Sequence, residues 1–137
     1  MKRVFLDTNI LMDAIVFRER GEEANMLLDL SRAGYIQNCA AVMSFATISY
    51  LLRHQTNEEV HFILSNLTDA IDILPMDSKQ FFDGMAFGPV SDFEDMLQYQ
   101  CAKANGCDII ITNNGKDYAE FCDLPFMTAA AFLKSLQ

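Results

Sequence analysis

Several signatures are missing from this chain, and each absence removes a class of protein. The four cysteines, Cys39, Cys101, Cys107 and Cys122, form no C-x-x-C pair and have no histidine at zinc spacing. Neither a zinc site nor a disulfide framework is expected, and all four read as reduced core or near-surface residues. The two histidines, His54 and His61, lack metal-ligand partners at suitable spacing and read as surface residues. No G-x-x-x-x-G-K-S/T, G-x-G-x-x-G or G-x-S-x-G is present, which removes nucleotide-loop and serine-hydrolase readings. Apolar runs break after around five residues, and the start Met-Lys-Arg-Val-Phe-Leu-Asp sets an acid at position 7. No membrane span or signal peptide is expected, and a cytoplasmic location is. Basic residues are scarce: ten Lys and Arg against nineteen Asp and Glu give a net charge of −9. That balance repels nucleic acid at long range and disfavours anionic membranes, although a bound cation would screen the acids locally.

What is present points to one domain spanning residues 1–137, since 137 residues with 51% hydrophobic content can bury a core unaided. Strand and helix signals alternate throughout, as in a sheet with crossover helices. Val4 to Leu6 reads as a buried strand, followed by a helix from Asn9 to Phe17 capped by Thr8 or Asn9. An amphipathic helix over Glu22–Ala33 stops at Gly34, and a second strand runs from Tyr35 to Val42. Ser44 is expected to cap a helix through Leu52, and Glu58–Leu67 forms another with Val60, Ile63, Leu64 and Leu67 on one face. Ile71–Leu74 is a short strand, Ser78–Met85 a helix, and Gly84–Pro89 a loop. A helix capped by Ser91 or Asp92 runs to about Asn105, followed by a strand over Ile109–Thr112 and a turn at Asn113–Gly115. Leu124–Met127 and Thr128–Leu136 close the chain as an edge strand and a helix.

Acids recur at the ends of these strands. Asp7 follows Val4-Phe5-Leu6, Asp92 and Asp95 share one face of a first helical turn, and Asp117 follows Ile109–Thr112. In open α/β sheets ligands bind at the carboxyl edge of the strands. A single Asp there is as well explained as a helix cap. Several such carboxylates repel one another, and a divalent cation relieves that crowding. Asp95 is the better ligand of its pair, because Met96 and Leu97 pack beneath it and fix its direction.

The run Leu6-Asp7-Thr8-Asn9-Ile10-Leu11-Met12-Asp13 resembles the opening of PIN-domain ribonucleases. Ser91-Asp92-Phe93-Glu94-Asp95-Met96-Leu97-Gln98 resembles the Asp-Phe-Glu-Asp-x-x-Gln signature of one VapC-like branch of that family. Thr112-Asn113-Asn114-Gly115-Lys116-Asp117-Tyr118 resembles the same branch's Thr-Arg-Asn-x-x-Asp-Phe ending. The resemblance spans the whole chain and implies a three-layer α/β/α sandwich around a mostly parallel sheet. It also implies an acidic pocket for Mg²⁺ or Mn²⁺ that hydrolyses RNA phosphodiesters. Asp7, Asp95 and Asp117 match the pocket acids, catalytic and metal-holding at once. Asp13 and Asp92 match supporting acids, Asn9 and Thr112 match residues that orient ligands, and Asn114 matches the Asn of the last motif.

One departure bears on activity. Many family members carry a further acid on the helix after the second strand, whereas Ser44-Phe-Ala-Thr47-Ile-Ser49-Tyr50-Leu-Leu-Arg53 contains none. Thr47 or Ser49 would stand in its neighbourhood, which implies one cation rather than two and a reduced rate. Lys116, Arg53, Arg18 and Arg20 are the candidate phosphate contacts, with Arg53 and Lys116 preferred. Tyr50 and Tyr118 read as packing aromatics rather than base-stacking ones. The family resemblance also implies an antitoxin protein as partner, with toxin–antitoxin biology, and a homodimer.

A haloacid-dehalogenase-like phosphatase needs a second Asp where this chain has Asn9, and an amide cannot donate and recover a proton. A receiver domain needs an acid and a lysine that Asp72 and Lys116 do not supply in the required order. The remaining alternative is a PIN-like domain with weak or lost catalysis that acts as an RNA- or protein-binding module.

Overall fold

A computed structural model describes residues 1–16 and 20–137. Its centre is a five-stranded sheet in the order β3-β2-β1-β4-β5. The strands are β1 (Arg3–Leu6), β2 (Gln37–Ala41), β3 (Asp72–Leu74), β4 (Ile109–Ile111) and β5 (Phe126–Met127), and every neighbouring pair is parallel. Between them run α1 (Thr8–Val16), α2 (Gly21–Arg32), α3 (Val42–Leu51), α4 (Asn57–Leu67), α5 (Ser78–Phe87), α6 (Phe93–Ala104), α7 (Gly115–Tyr118) and α8 (Ala129–Ser135).

Alternation along the strands builds two cores, one on each face of the sheet. Val4, Leu6, Ala40, Ile109 and Ile111 point to the face covered by Leu11 of α1, Leu27 and Leu28 of α2, Ile48 of α3 and Phe132 of α8. Phe5, Cys39, Ala41 and Ile110 point to the other, against Met96 and Tyr99 of α6 and Tyr118 of α7. This is the three-layer sandwich that the motifs imply. The topology also fixes where a site can form: the chain winds from β1 outward to β2 and β3, then returns to place β4 on the opposite side of β1. Connections leaving β1 and β4 therefore diverge to opposite faces, which opens a crevice at their carboxyl ends.

Local chemistry explains most element boundaries. Asp92 caps α6 by accepting from the Asp95 amide at 3.1 Å, and Thr128 caps α8 by accepting from Ala131 at 3.2 Å. Asp77 and Gln80 form a reciprocal capping box at the start of α5. Gly34 (φ 85°) and Gly106 (φ 70°) adopt the left-handed conformation that lets the chain turn away after α2 and α6.

Several boundaries differ from the sequence expectations, and four of these differences have a local physical cause. The Asp7 carbonyl accepts from the Ile10 amide at 2.9 Å, so Asp7 holds the cap position of α1 and Thr8 already lies inside the helix. The expected end of that helix at Phe17 lies outside the described residues. Helix α3 leaves β2 directly at Val42, so Ser44 is not a cap but a fully buried residue within the first turn. Gly84 is helical rather than part of a loop: a Cβ there would sit 3.0 Å from the Met96 side chain, so the glycine permits α5 to press onto α6. The turn after β4 tightens into α7, whose single helical turn carries Asp117. No helix among the described residues is long and apolar enough to cross a membrane.

Candidate active site

The acids expected to converge do so at the crevice between β1 and β4. Pairing of Leu6 with Ile111 puts Asp7 level with Thr112, and the Asp7 amide extends the ladder to the Ile111 carbonyl at 3.0 Å. Thr112 then donates its hydroxyl to the Asp7 carboxylate at 2.8 Å and accepts from the Asn114 amide at 2.9 Å. Asp95 enters from the first turn of α6 and is buried against this pair, with the Asn114 side-chain amide 3.5 Å from its Oδ2. Carboxylate oxygens of Asp92, Asp95 and Asp117 lie within 4.8 Å of one another, as do those of Asp7, Glu94 and Asp95. Asp95 belongs to both groups and joins them into one cluster.

Glu94 was not singled out by sequence reasoning. Its carboxylate accepts from Gln98 Nε2 at 2.8 Å, one helical turn along α6. The same nitrogen lies 2.8 Å from Thr8 Oγ1 and 3.0 Å from Ser44 Oγ, which compete for its second hydrogen, and the two hydroxyls are 2.7 Å apart. Gln98, Ser44 and Thr8 are all buried, so this network ties the starts of α1 and α3 to the acidic turn of α6. The sequence signals for it were the Glu and Gln of the Asp-Phe-Glu-Asp-x-x-Gln run and their i,i+4 spacing.

The expectation for α3 is corrected accordingly. Thr47 donates its hydroxyl to the Met43 carbonyl at 3.3 Å, and Ser49 bonds the Phe45 carbonyl at 2.7 Å, so both are spent within their own helix. Ser44 is the residue that α3 presents to the network. The absence of an acid on α3 does not leave the pocket short of charge, because Glu94 supplies one from α6.

Other singled-out residues are placed as follows. Asp13 is buried on α1 and accepts from Asn113 Nδ2 at 3.0 Å. Asn9 is exposed in the first turn of α1, and Lys116 is exposed beside Asp117. Arg53 lies beyond the end of α3, its guanidinium 4.1 Å from the Tyr50 ring centroid, so Tyr50 is exposed rather than packed in the core. At ~1.5 Å rise per residue, Arg53 is on the order of 10 Å farther along that axis than Ser44. Arg20 borders a recess shared with Asp13 and Asn113, and Arg18 lies outside the described residues.

Electrostatics follow from burial and crowding. Asp7 is 1% exposed, and burial, opposed by the Thr112 hydrogen bond and reinforced by Glu94, pushes its pKa up to about 6. Burial together with Asp7, Asp92, Glu94 and Asp117 pushes Asp95 up to about 8. Among the described residues no lysine or arginine forms an ion pair with any acid of the cluster. A set of oriented oxygen donors, negatively charged and without a basic counter-ion, suits a hard divalent cation and disfavours zinc or copper.

Residues 3–116 match the PIN domain family model. The chain belongs to the PIN-domain family. Among curated proteins no sequence matches it. Solved structures resemble this PIN domain over most of their length. VapBC2 from Rickettsia felis, solved bound to a DNA fragment from its promoter, has a TM-score of 0.68 at 17% identity and covers 90% of this chain and 96% of its own. VapC20 of Mycobacterium tuberculosis, described as a sarcin-ricin loop cleaving toxin, gives 0.66 at 12% identity, covering 87% and 95%. A toxin–antitoxin complex from Klebsiella pneumoniae gives 0.63 at 20% identity, covering 86% and 92%. At such identities the likeness speaks to the fold that the family match already implies.

Proposed function

We propose that this PIN domain is a Mg²⁺- or Mn²⁺-dependent endoribonuclease acting on single-stranded or structured RNA, and the toxin of a toxin–antitoxin pair. The observation that carries the reading is the cluster in which Asp95 shares 4.8 Å neighbourhoods with Asp7 and Glu94 on one side and Asp92 and Asp117 on the other. Asp7, Glu94, Asp95 and Asp117 would hold the cation. When bound, it would lower the pKa of water and neutralise charge developing on the phosphate.

The chain's own residues supply positioning and proton control. Thr112 fixes one Asp7 oxygen, and the Gln98 network fixes Glu94, so two donors are aimed before ligand arrives. Asp95, with a pKa near 8 in the metal-free protein, is half-protonated at that pH and gives up its proton as positive charge enters. Asp117, half-buried on α7, or Asp95 would accept a proton from the attacking water. Lys116, next to Asp117 in the chain, is a candidate for a phosphate contact. The toxin assignment and the antitoxin partner draw support from the structural neighbours, which include toxin–antitoxin complexes.

The net charge of −9 favours a second reading, a binding module without turnover. One experiment separates the two: incubation of single-stranded RNA with Mn²⁺, with EDTA, and with the Asp7→Asn and Asp95→Asn variants. Cleavage that needs Mn²⁺ and is abolished by both substitutions supports the nuclease. Cleavage unchanged in both variants overturns it, and RNA binding without cleavage establishes the module.

A further inference from the structure

The loop that delivers Asp92 and Asp95 to the pocket is gripped by residues that follow Asp117. Residues 88–92 join α5 to α6. At one end of this loop the Phe87 ring meets the Phe121 ring edge-on, with centroids 6.3 Å apart. At the other, both oxygens of the Glu120 carboxylate are spent on Ser91: Oε2 accepts from the Ser91 amide at 3.1 Å, and Oε1 accepts from the Ser91 hydroxyl. Among the described residues no lysine or arginine forms an ion pair with Glu120. A further carboxylate bonded one residue away from Asp92 adds repulsion to a crowded acidic pocket.

The connectivity shows what that clamp joins. Ser91 precedes Asp92, which caps α6 by accepting from the Asp95 amide at 3.1 Å. Glu120 lies one turn beyond Asp117, its amide donating to the Asp117 carbonyl at 3.2 Å. The clamp therefore closes a ring between two segments distant in sequence, one carrying Asp92 and Asp95 and the other Asp117, whose carboxylate oxygens lie within 4.8 Å of one another. Repulsion among those three acids pushes the segments apart until a cation arrives. A charge-assisted, two-pronged bond made by exposed residues opposes that push without taking up a ligand position.

We propose that Glu120 is a positioning residue of the acidic pocket, its clamp on Ser91 holding the first turn of α6 and α7 together so that Asp95 and Asp117 can share a divalent cation. The idea rests on the metal-site reading above. Groups that orient ligands in this way commonly account for ~10-fold to 100-fold in metal affinity.

The test is a Mn²⁺ titration followed by the electron paramagnetic resonance signal of the free ion, on the intact chain, on Glu120→Ala, Ser91→Ala and their double variant, and on Asp95→Asn, with melting temperatures recorded in EDTA. Mn²⁺ affinity should fall by ~10-fold or more in Glu120→Ala. Ser91→Ala keeps every charge and the amide bond and should lose affinity severalfold, while the double variant should lose no more than Glu120→Ala alone, because both substitutions remove one contact. Melting temperatures in EDTA should stay within ~2 °C of the unaltered chain, as for surface substitutions in general. A merely structural role would lower the melting temperature and leave affinity alone. A loss in Glu120→Ala with Ser91→Ala unchanged, or losses that multiply in the double variant, would reduce Glu120 to a nearby negative charge and overturn the proposal. Glu120→Ala affinity within about twofold of the original, with Asp95→Asn inactive in binding, overturns it too and leaves the metal site standing. Absence of Mn²⁺ binding by the unaltered chain overturns both. Should Glu120→Ala fail to fold, Glu120→Gln, which keeps the side chain's size and one acceptor oxygen, takes its place: a severalfold loss is expected, and unchanged affinity overturns the role of Glu120.

Discussion

Asp95→Asn should make the metal-free protein more stable, and the size of the gain should depend on pH. In the unfolded chain this carboxyl ionises near its ordinary 3.8, whereas in the folded protein burial and four neighbouring acids raise it to about 8. Between those values the folded state holds a proton that the unfolded chain has released, so stability falls as pH rises through the window, and the decrement due to Asp95 reaches its full size above pH 8. At about 1.4 kcal/mol per pH unit, the window corresponds to at most ~6 kcal/mol. The effective dielectric of even buried sites brings this to ~2–3 kcal/mol. For 137 residues, 1 kcal/mol moves the melting temperature by ~3–4 °C. In EDTA at pH 8 the asparagine variant should therefore melt ~7–10 °C above the unaltered chain. At pH 5, where Asp95 is protonated in the folded state and only the first part of the window has been crossed, the gap should shrink to ~2–3 °C. Mn²⁺ at 100 times its Kd should then stabilise the unaltered chain by ~2.7 kcal/mol and leave the variant unmoved. Differential scanning fluorimetry at both pH values, with and without metal, reads all of this. A gap at pH 8 no larger than at pH 5 refutes the reasoning, because it would mean that Asp95 carries its charge without strain.

Glu94→Gln keeps the carbonyl that Gln98 donates to but removes the charge, so Mn²⁺ affinity by calorimetry should fall by ~10-fold or more. Unchanged affinity would remove Glu94 from the pocket. Thr112→Val deletes the hydroxyl that joins Asp7 to the Asn114 amide and should lower stability in urea by ~1–3 kcal/mol. A loss within ~0.5 kcal/mol would show that Asp7 is held by other contacts. Lys116→Ala should raise KM for RNA severalfold with kcat unchanged, whereas Arg53→Ala, whose guanidinium is stacked on Tyr50, should leave both unchanged. The reverse ranking would move the RNA path toward the end of α3.

Much of this architecture is written locally in the chain. Alternating apolar runs specified the strands, while Thr128 and Asp92 specified helix starts, because hydrophobic period and capping act over a few residues. Asp7, Asp95 and Asp117 were legible as candidates for the same reason: each stands directly beside an apolar run or cap that fixes where the backbone must go. Tertiary structure decided the rest. Which face of α6 turns toward β1 depends on Met96 and Tyr99 packing into the second core, and only that phase brings Glu94 beside Asp7. Likewise, α3 begins at Val42, which buries Ser44 against Thr8 and Gln98 and leaves Thr47 bonded to its own helix. Periodicity defines a helical face but not its rotation, because rotation is set by contacts between segments distant in sequence. The burial of Tyr118 is a further case, since it arises only when β1, α6 and α7 close the second core.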